Sequence, residues 1–244
     1  MKIIDVNCDL GEGIADDALL MPYVSSCNIA CGGHFGNKNT IDETIKLAIQ
    51  NKVKIGAHPS FPDQINFGRK LLKISAEDLN KSIQSQLALF TARLAAFNVK
   101  LNHIKAHGAL YNLIAKDAEA ATNYLNSIAQ FINGAFVYVP YNSAIEKIAK
   151  ERGIDIKYEA FADRNYNTDL SLVSRLNKNA VISDPLSVFY HMREMIEAKK
   201  VLTIDNVLVA IKADTFCIHG DHKNALETLK EITRLLNTQN IQIA

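Results

Sequence analysis

Short apolar stretches of strand character alternate with helix-like stretches along the whole of this 244-residue chain, and that alternation limits its fold more than any other feature. Strand candidates lie at Lys2–Val6, Cys27–Cys31, Val53–Ala57, Leu101–Ala106, Phe136–Pro140, Ile154–Phe161 and Val207–Ile218, the last with an irregularity expected near Asp214. Several are short, apolar and bounded by polar residues or glycine, as strands covered on both faces of a parallel sheet are. Between them Thr40-Ile41-Asp42-Glu43 reads as a capping box, with Ile41, Ile45, Ala48 and Ile49 following on one face. Ser75 and Ser143 read as further helix starts, and Leu79, Ile83, Leu87, Phe90, Leu94 and Phe97 recur at helical steps, as do Leu226, Leu229, Ile232 and Leu236. No repeat, low-complexity tract or linker interrupts the series, so one domain over residues 1–244 is expected. The fold class is α/β, an irregular (β/α) barrel of about seven strands. An open doubly wound sheet is the competing architecture, but its Gly-rich nucleotide turn is missing: after Gly11-Glu12-Gly13, Asp16 stands where the third glycine belongs.

Lys+Arg 27 against Asp+Glu 26 leaves a net charge of +1, which gives no broad footprint for nucleic acid or an anionic membrane. The 48% apolar fraction is that of a folded domain, and no run of about 18 apolar residues suggests a membrane span. Four cysteines are too few for a disulfide scaffold in a chain of this length, so a reduced, cytoplasmic setting is expected.

The histidines carry the functional signal. His34, His58, His107, His219 and His222 stand in short polar turns just after strand candidates. In a β/α barrel those strand ends surround one mouth. Asp5, Asn7 and Asp9 alternate along the first strand, as His103, Lys105 and His107 do along the fourth, so each set shares a face. Burying such groups is costly unless they are paired or functional. A lowered pKa at Lys105 or a raised carboxylate pKa would suit acid/base work. Each residue has a plainer reading: Asp5 as a cap, a histidine beside glycine as a loop hydrogen-bonder, Lys105 as a core ion-pair partner, Arg69 and Arg175 as surface partners. Cys27-x-x-x-Cys31 lacks a second pair and reads as buried thiols, and Tyr23, Tyr138 and Tyr158 as packing residues.

Seven blocks carry a family resemblance: Asp5–Glu12, Asn28–His34, Ile55–Pro59, Phe67–Arg69, Lys105–Asn112, Glu159–Tyr166 and Cys217–Asp221. In this order, from residue 5 to about residue 235, they resemble the LamB/YcsF family. The chain departs from the family pattern at His34-Phe35-Gly36-Asn37, at Ala106 before His107, and at His222-Lys223 after Asp221. The resemblance implies a barrel similar to the glycoside hydrolase/deacetylase barrel. It also implies 5-oxoprolinase chemistry, the ATP-dependent hydrolytic opening of 5-oxo-L-proline to L-glutamate, together with two partner subunits. ATP use is expected to depend on those partners, since no nucleotide motif is recognisable here.

Roles follow by chemical type. The expected catalytic residues are Asp9 or His107 as water-activating base, with Lys105 and His34. Expected substrate-binding residues are Asn7, Asn28, His58, Arg69, Asn112, Asp163, Arg164 and His219. A divalent metal, if bound, would draw its ligands from Asp5, Asp9, His34, His58, His107 and His219. The rival readings are a metal-dependent deacetylase of N-acetyl sugars, a lyase using Lys105 as a Schiff base, and a non-catalytic oxoproline-binding subunit.

Overall fold

In the computed structural model, residues 2–14, 16–221 and 224–244 are described; His222 and Lys223 lie outside them. The strands are β1 (Lys2–Leu10), β2 (Ser26–Ala30), β3 (Lys54–His58), β4 (His103–Ile104), β5 (Phe136–Pro140), β6 (Ile156–Phe161), β7 (Lys200–Leu202), β8 (Leu208–Ala210), β9 (Thr215–Cys217) and β10 (Ile241–Ile243). The helices are α1 (Asp17–Leu20), α2 (Lys38–Asn51), α3 (Ala76–Ala96), α4 (Gly108–Lys116), α5 (Ala118–Ile128), α6 (Ala144–Glu151), α7 (Pro185–Glu197) and α8 (Ala225–Thr238).

Strands β1 to β6 and β9 pair in parallel, and β9 pairs back onto β1 to close a seven-stranded barrel. β10 adds to β1 at its first residues, Lys2 to Ile4. The expected strand Val207–Ile218 is two strands. Its first part, β8, forms an antiparallel pair with β7, and only β9 enters the barrel. Asp214 ends the excursion: its Oδ2 accepts from the Tyr158 N–H at 2.8 Å, and its own N–H donates to the Tyr158 carbonyl at 2.8 Å.

Parity along the strands separates two cores. Val6, Cys8 and Leu10 of β1 and Cys27 and Ile29 of β2 join the apolar layer between barrel and helices, with Ile83, Leu87 and Phe90 of α3 opposite. The other parity fills the barrel with polar groups, where this fold usually packs branched aliphatic side chains. The lowest such layer is Asp5, whose Oδ1 accepts from Ser26 Oγ at 2.8 Å and Thr215 Oγ1 at 2.7 Å. Gly56 on β3 leaves room for the His103 ring, since a Cβ there would lie 2.0 Å from His103 Nε2.

The helix starts follow local capping. Ser75 Oγ accepts from Asp78 N–H at 3.1 Å, and Ser143 Oγ from Glu146 N–H at 3.2 Å. The start of α2 lies one turn earlier than its sequence suggests. Asn37 is the N-cap and Thr40 the reciprocal third residue: Thr40 Oγ1 accepts from Asn37 N–H at 2.9 Å, and Asn37 Oδ1 accepts from Thr40 N–H at 3.3 Å. Asn and Thr thus perform the exchange expected of Thr40 and Glu43. The irregular segment after Arg164 is held to itself by bridges between Arg164 and Val181 and between Tyr166 and Leu172. No described helix is long and apolar enough to cross a membrane. All four cysteines are free and buried.

Candidate active site

The chain continues beyond the short β4 in the same ladder: Lys105 N–H donates to the Ala57 carbonyl at 3.0 Å and His107 N–H to the Pro59 carbonyl at 2.9 Å. This extension carries Lys105 and His107 to the C-terminal mouth of the barrel. Lys105 Nζ lies 2.9 Å from Asp9 Oδ1, 2.8 Å from Glu159 Oε1 and 3.1 Å from Cys217 Sγ. Burial works against its charge, but Asp9, Cys217 and Glu159 raise the Lys105 pKa well above the usual lysine range. Burial likewise opposes ionisation of Asp9, and its contacts with His58 and the Lys105 ammonium overcome it and hold the carboxyl well below the usual range. The sequence leaves both directions open, and the structure keeps both groups charged. Opposite charges at contact inside a dry site outweigh the desolvation that sequence position alone suggests.

Above this pair the imidazoles meet. His58 Nδ1 donates to the Lys105 carbonyl at 2.8 Å, and His58 Nε2 lies 2.9 Å from His107 Nδ1 and 3.3 Å from Asp9 Oδ2. His107 Nε2 donates to the Phe67 carbonyl at 3.0 Å. His34 stacks on His107 with ring centroids 3.7 Å apart, and its Nε2 bonds Glu12 Oε1 at 2.9 Å. Burial lowers the pKa of His34, and burial with the neighbouring histidines lowers that of His107 further. Across the mouth His219 Nδ1 donates to Asp163 at 2.9 Å, and Asp163 also accepts the His219 backbone N–H at 2.9 Å. The His219 side chain keeps 14% exposure, whereas those of His34 and His58 have none.

A strap from Asp63 to Arg69 covers the histidines. Gly68 in it has φ +62°, and a Cβ there would lie 3.0 Å from both His107 Cδ2 and His34 Cβ, so a left-handed glycine suits the turn. Arg69 lies over the Phe67 ring and pairs with Asp221, which Arg175 also approaches at 3.3 Å. Beside the Lys105–Glu159 pair a cavity of about 250 Å³ opens between the ends of β5 and β6 and α4, lined by Tyr111, Asn112, Lys116, Glu159, Phe161 and Tyr166 among others.

The structure therefore brings together Asp9, His34, His58, Lys105 and His107, and places His219 and Asp163 at the same mouth with Arg69 above and Asn112 on the cavity wall. Four expected residues do other work. Asp5 sits at the opposite end of the barrel interior, bound to Ser26, Thr215 and, at 3.0 Å, Lys54, so it is no ligand partner of the histidines. Asn7 and Asn28 are fully buried. The Asn28 amide donates to Asn7 at 2.8 Å and Asp9 at 2.7 Å, and that of Asn7 to Thr215 at 2.8 Å, so they orient Asp9 rather than face a lactam. Arg164 turns away and donates to the carbonyls of Val173 at 2.6 Å and Ala180 at 3.1 Å, bracing its own loop. Glu12 and Glu159 join the site from outside the residues expected of it. Glu159 keeps parity with Phe161 on β6, which was the available signal. Glu12 lies past the end of β1, where no parity applies.

Among the described residues, Asp9, Glu12, His58 and His107 offer four ligand atoms all within 4.8 Å of one another, and Asp9, Cys217 and His219 form a second such group.

A parallel barrel with a buried acid–lysine–histidine cluster at its mouth defines an enzyme-like site. The LamB/YcsF family profile matches residues 4–244, and the chain belongs to that family. It is 40% identical to the A subunit of 5-oxoprolinase from Campylobacter jejuni subsp. jejuni serotype O:23/36 (strain 81-176), over 98% of this chain and 96% of that protein. It is 36% identical, over the same shares, to the protein of that name from Pyrococcus abyssi. The crystal structure of the lactam utilization protein from Thermus thermophilus superposes with a TM-score of 0.92 at 33% identity, covering 100% of this chain and 99% of that one.

Proposed function

We propose that this chain is the A subunit of a 5-oxoprolinase and hydrolyses the lactam of 5-oxo-L-proline to L-glutamate, coupled to ATP hydrolysis with two partner subunits. The near-full-length match to relatives of that name carries the reading. The balance is one water across the lactam C–N bond and one across the terminal phosphoanhydride of ATP, yielding glutamate, ADP and phosphate. A lactam is a poor electrophile, so the site must activate water, stabilise the oxyanion and protonate the departing nitrogen.

The chemistry of the mouth supports this division. Asp9 and His107 have their polar atoms committed to neighbours, so the proposed base is His219. Asp163 fixes its Nδ1–H, which leaves Nε2 to take a proton from water and return it to the leaving amine. Lys105, held as an ammonium, is the proposed electrostatic support for negative charge developing on the lactam or phosphoryl oxygen. The same charge opposes a Schiff base, which needs a neutral amine. The cavity beside Glu159 is large enough for one small lactam, with Asn112 and Lys116 available to its carboxylate. ATP binding is assigned to the partners.

The test is glutamate release from 5-oxo-L-proline and ATP, by this chain alone and with candidate partner subunits. We expect release only with partners and ATP. His219→Asn keeps a donor to Asp163 and removes Nε2, and should lower turnover at least ~100-fold in a folded protein. No release in any combination of folded subunits, with ATP-independent deacetylation of an N-acetyl sugar instead, would overturn the reading. Oxoproline binding with full turnover in His219→Asn would reduce the chain to a binding role.

A further inference from the structure

We propose that Asp9, Glu12, His58 and His107 form a site for one divalent transition-metal ion of the zinc class. Two backbone carbonyls, which can only accept, fix the protons on the histidine pair. One faces His58 Nδ1 at 2.8 Å and the other His107 Nε2 at 3.0 Å, so both outer ring nitrogens carry hydrogen. In neutral imidazoles the inner nitrogens, His58 Nε2 and His107 Nδ1, are then both lone pairs, yet they face each other at 2.9 Å. Two lone pairs hold that distance only around an electrophile, which is either a shared proton or a metal ion.

Two observations favour the metal. Metal-binding histidines commonly donate their far N–H to a backbone carbonyl, which fixes ring and tautomer, and here both do. Carboxylates flank both inner nitrogens: Asp9 Oδ2 lies 3.3 Å from His58 Nε2, and Glu12 Oε1 lies 3.4 Å from His107 Nδ1. Donors bound at zinc distances stand about 3.3 Å apart along a tetrahedral edge.

The surroundings agree. Lys105 takes Asp9 Oδ1 and leaves Oδ2 toward His58, and His34 Nε2 holds Glu12 Oε1, the oxygen that faces His107, at 2.9 Å. Two imidazoles with two carboxylates suit a first-row transition ion better than magnesium or calcium. The neighbouring group of Asp9, Cys217 and His219 is the poorer site, because the Lys105 ammonium touches Cys217 Sγ at 3.1 Å and repels a cation. The ion belongs to the resting chain, whether or not oxoproline is the substrate. When bound, such an ion supplies a Lewis acid at the barrel mouth.

The full chain, stripped with EDTA and dialysed, is titrated with ZnCl2 and separately with CoCl2, reading bound metal per chain after gel filtration together with Tm. We expect one equivalent of Zn2+, a raised Tm, and a visible absorption band with Co2+. Glu12→Gln preserves shape at this buried position and should weaken Zn2+ binding at least ~10-fold, with His107→Phe as a second variant; far-UV circular dichroism confirms that each is folded. Retention of less than about a tenth of an equivalent by the folded wild type would mean a shared proton and overturn the proposal, as would wild-type binding in both variants.

Discussion

Lys105 stands between Asp9 and Glu159 with its ammonium almost wholly buried. Such a pair is weak as a source of net stability, because desolvating each ion offsets the attraction. Removing one member is a different matter, since it strands the rest. Lys105→Gln leaves two buried carboxylates without their cation, and we predict a loss of 3–5 kcal/mol, roughly the usual cost of breaking a buried pair. Urea unfolding of the purified variant checks this; a change under about 1 kcal/mol would show that the carboxylates are not held as ions. Histidine placement and the alternation in β1 and β4 made Asp9, Lys105 and His107 readable as one cluster. What no residue type could show is that Asn7 and Asn28 serve Asp9, or that Arg164 turns toward its own loop.

At the scale of elements, the helix α2 shows how capping chemistry is underdetermined by pattern. Thr40 with Glu43 and Asn37 with Thr40 are both plausible reciprocal pairs, one turn apart. The observed pair is Asn37 with Thr40, which adds a turn at the N-terminus of the helix. Asn37→Ala should cost ~1 kcal/mol, the usual loss of a cap, whereas exposed Glu43→Ala should stay within about 0.5 kcal/mol. Thermal melts of the two variants discriminate, and a larger effect at Glu43 would restore the later start. The same limit applies to Val207–Ile218. Its β-branched content marks it as extended, but one segment pairs with β7 and the other with β1 and β6, and that division depends on partners distant in sequence.

The molecule as a whole places α7 against the Arg164 loop through His191. Burial pushes the His191 pKa down from the ordinary 6.5 to about 4, although a ring N–H bonded to the Arg164 carbonyl acts in the opposite sense. With the folded pKa lowered, the unfolded chain binds a proton first as pH falls. His191 therefore subtracts stability progressively from about pH 6.5 down to about pH 4 and costs nothing above that window. The loss across it is on the order of 3 kcal/mol. His191→Asn keeps a donor for the carbonyl and cannot titrate, so its stability should fall less steeply than that of the wild type over this range. Parallel pH dependences in chemical denaturation would refute the assignment.

The sequence by itself determined the alternating β–α order, the family, and the parity that sends carboxylate, amine and imidazole into the barrel. These are periodic or contiguous properties, set by the two-residue repeat of a strand and by short blocks in order. Tertiary structure decided the rest. Closure of β9 onto β1 put Cys217 beside Lys105, and the strap from Asp63 to Arg69 set a carbonyl against His107. Charge contacts across the barrel then set the pKa directions of Lys105 and Asp9, which the sequence left open. Each of these outcomes depends on groups separated by tens to hundreds of residues, and the distance between two such groups exists only once the barrel has closed.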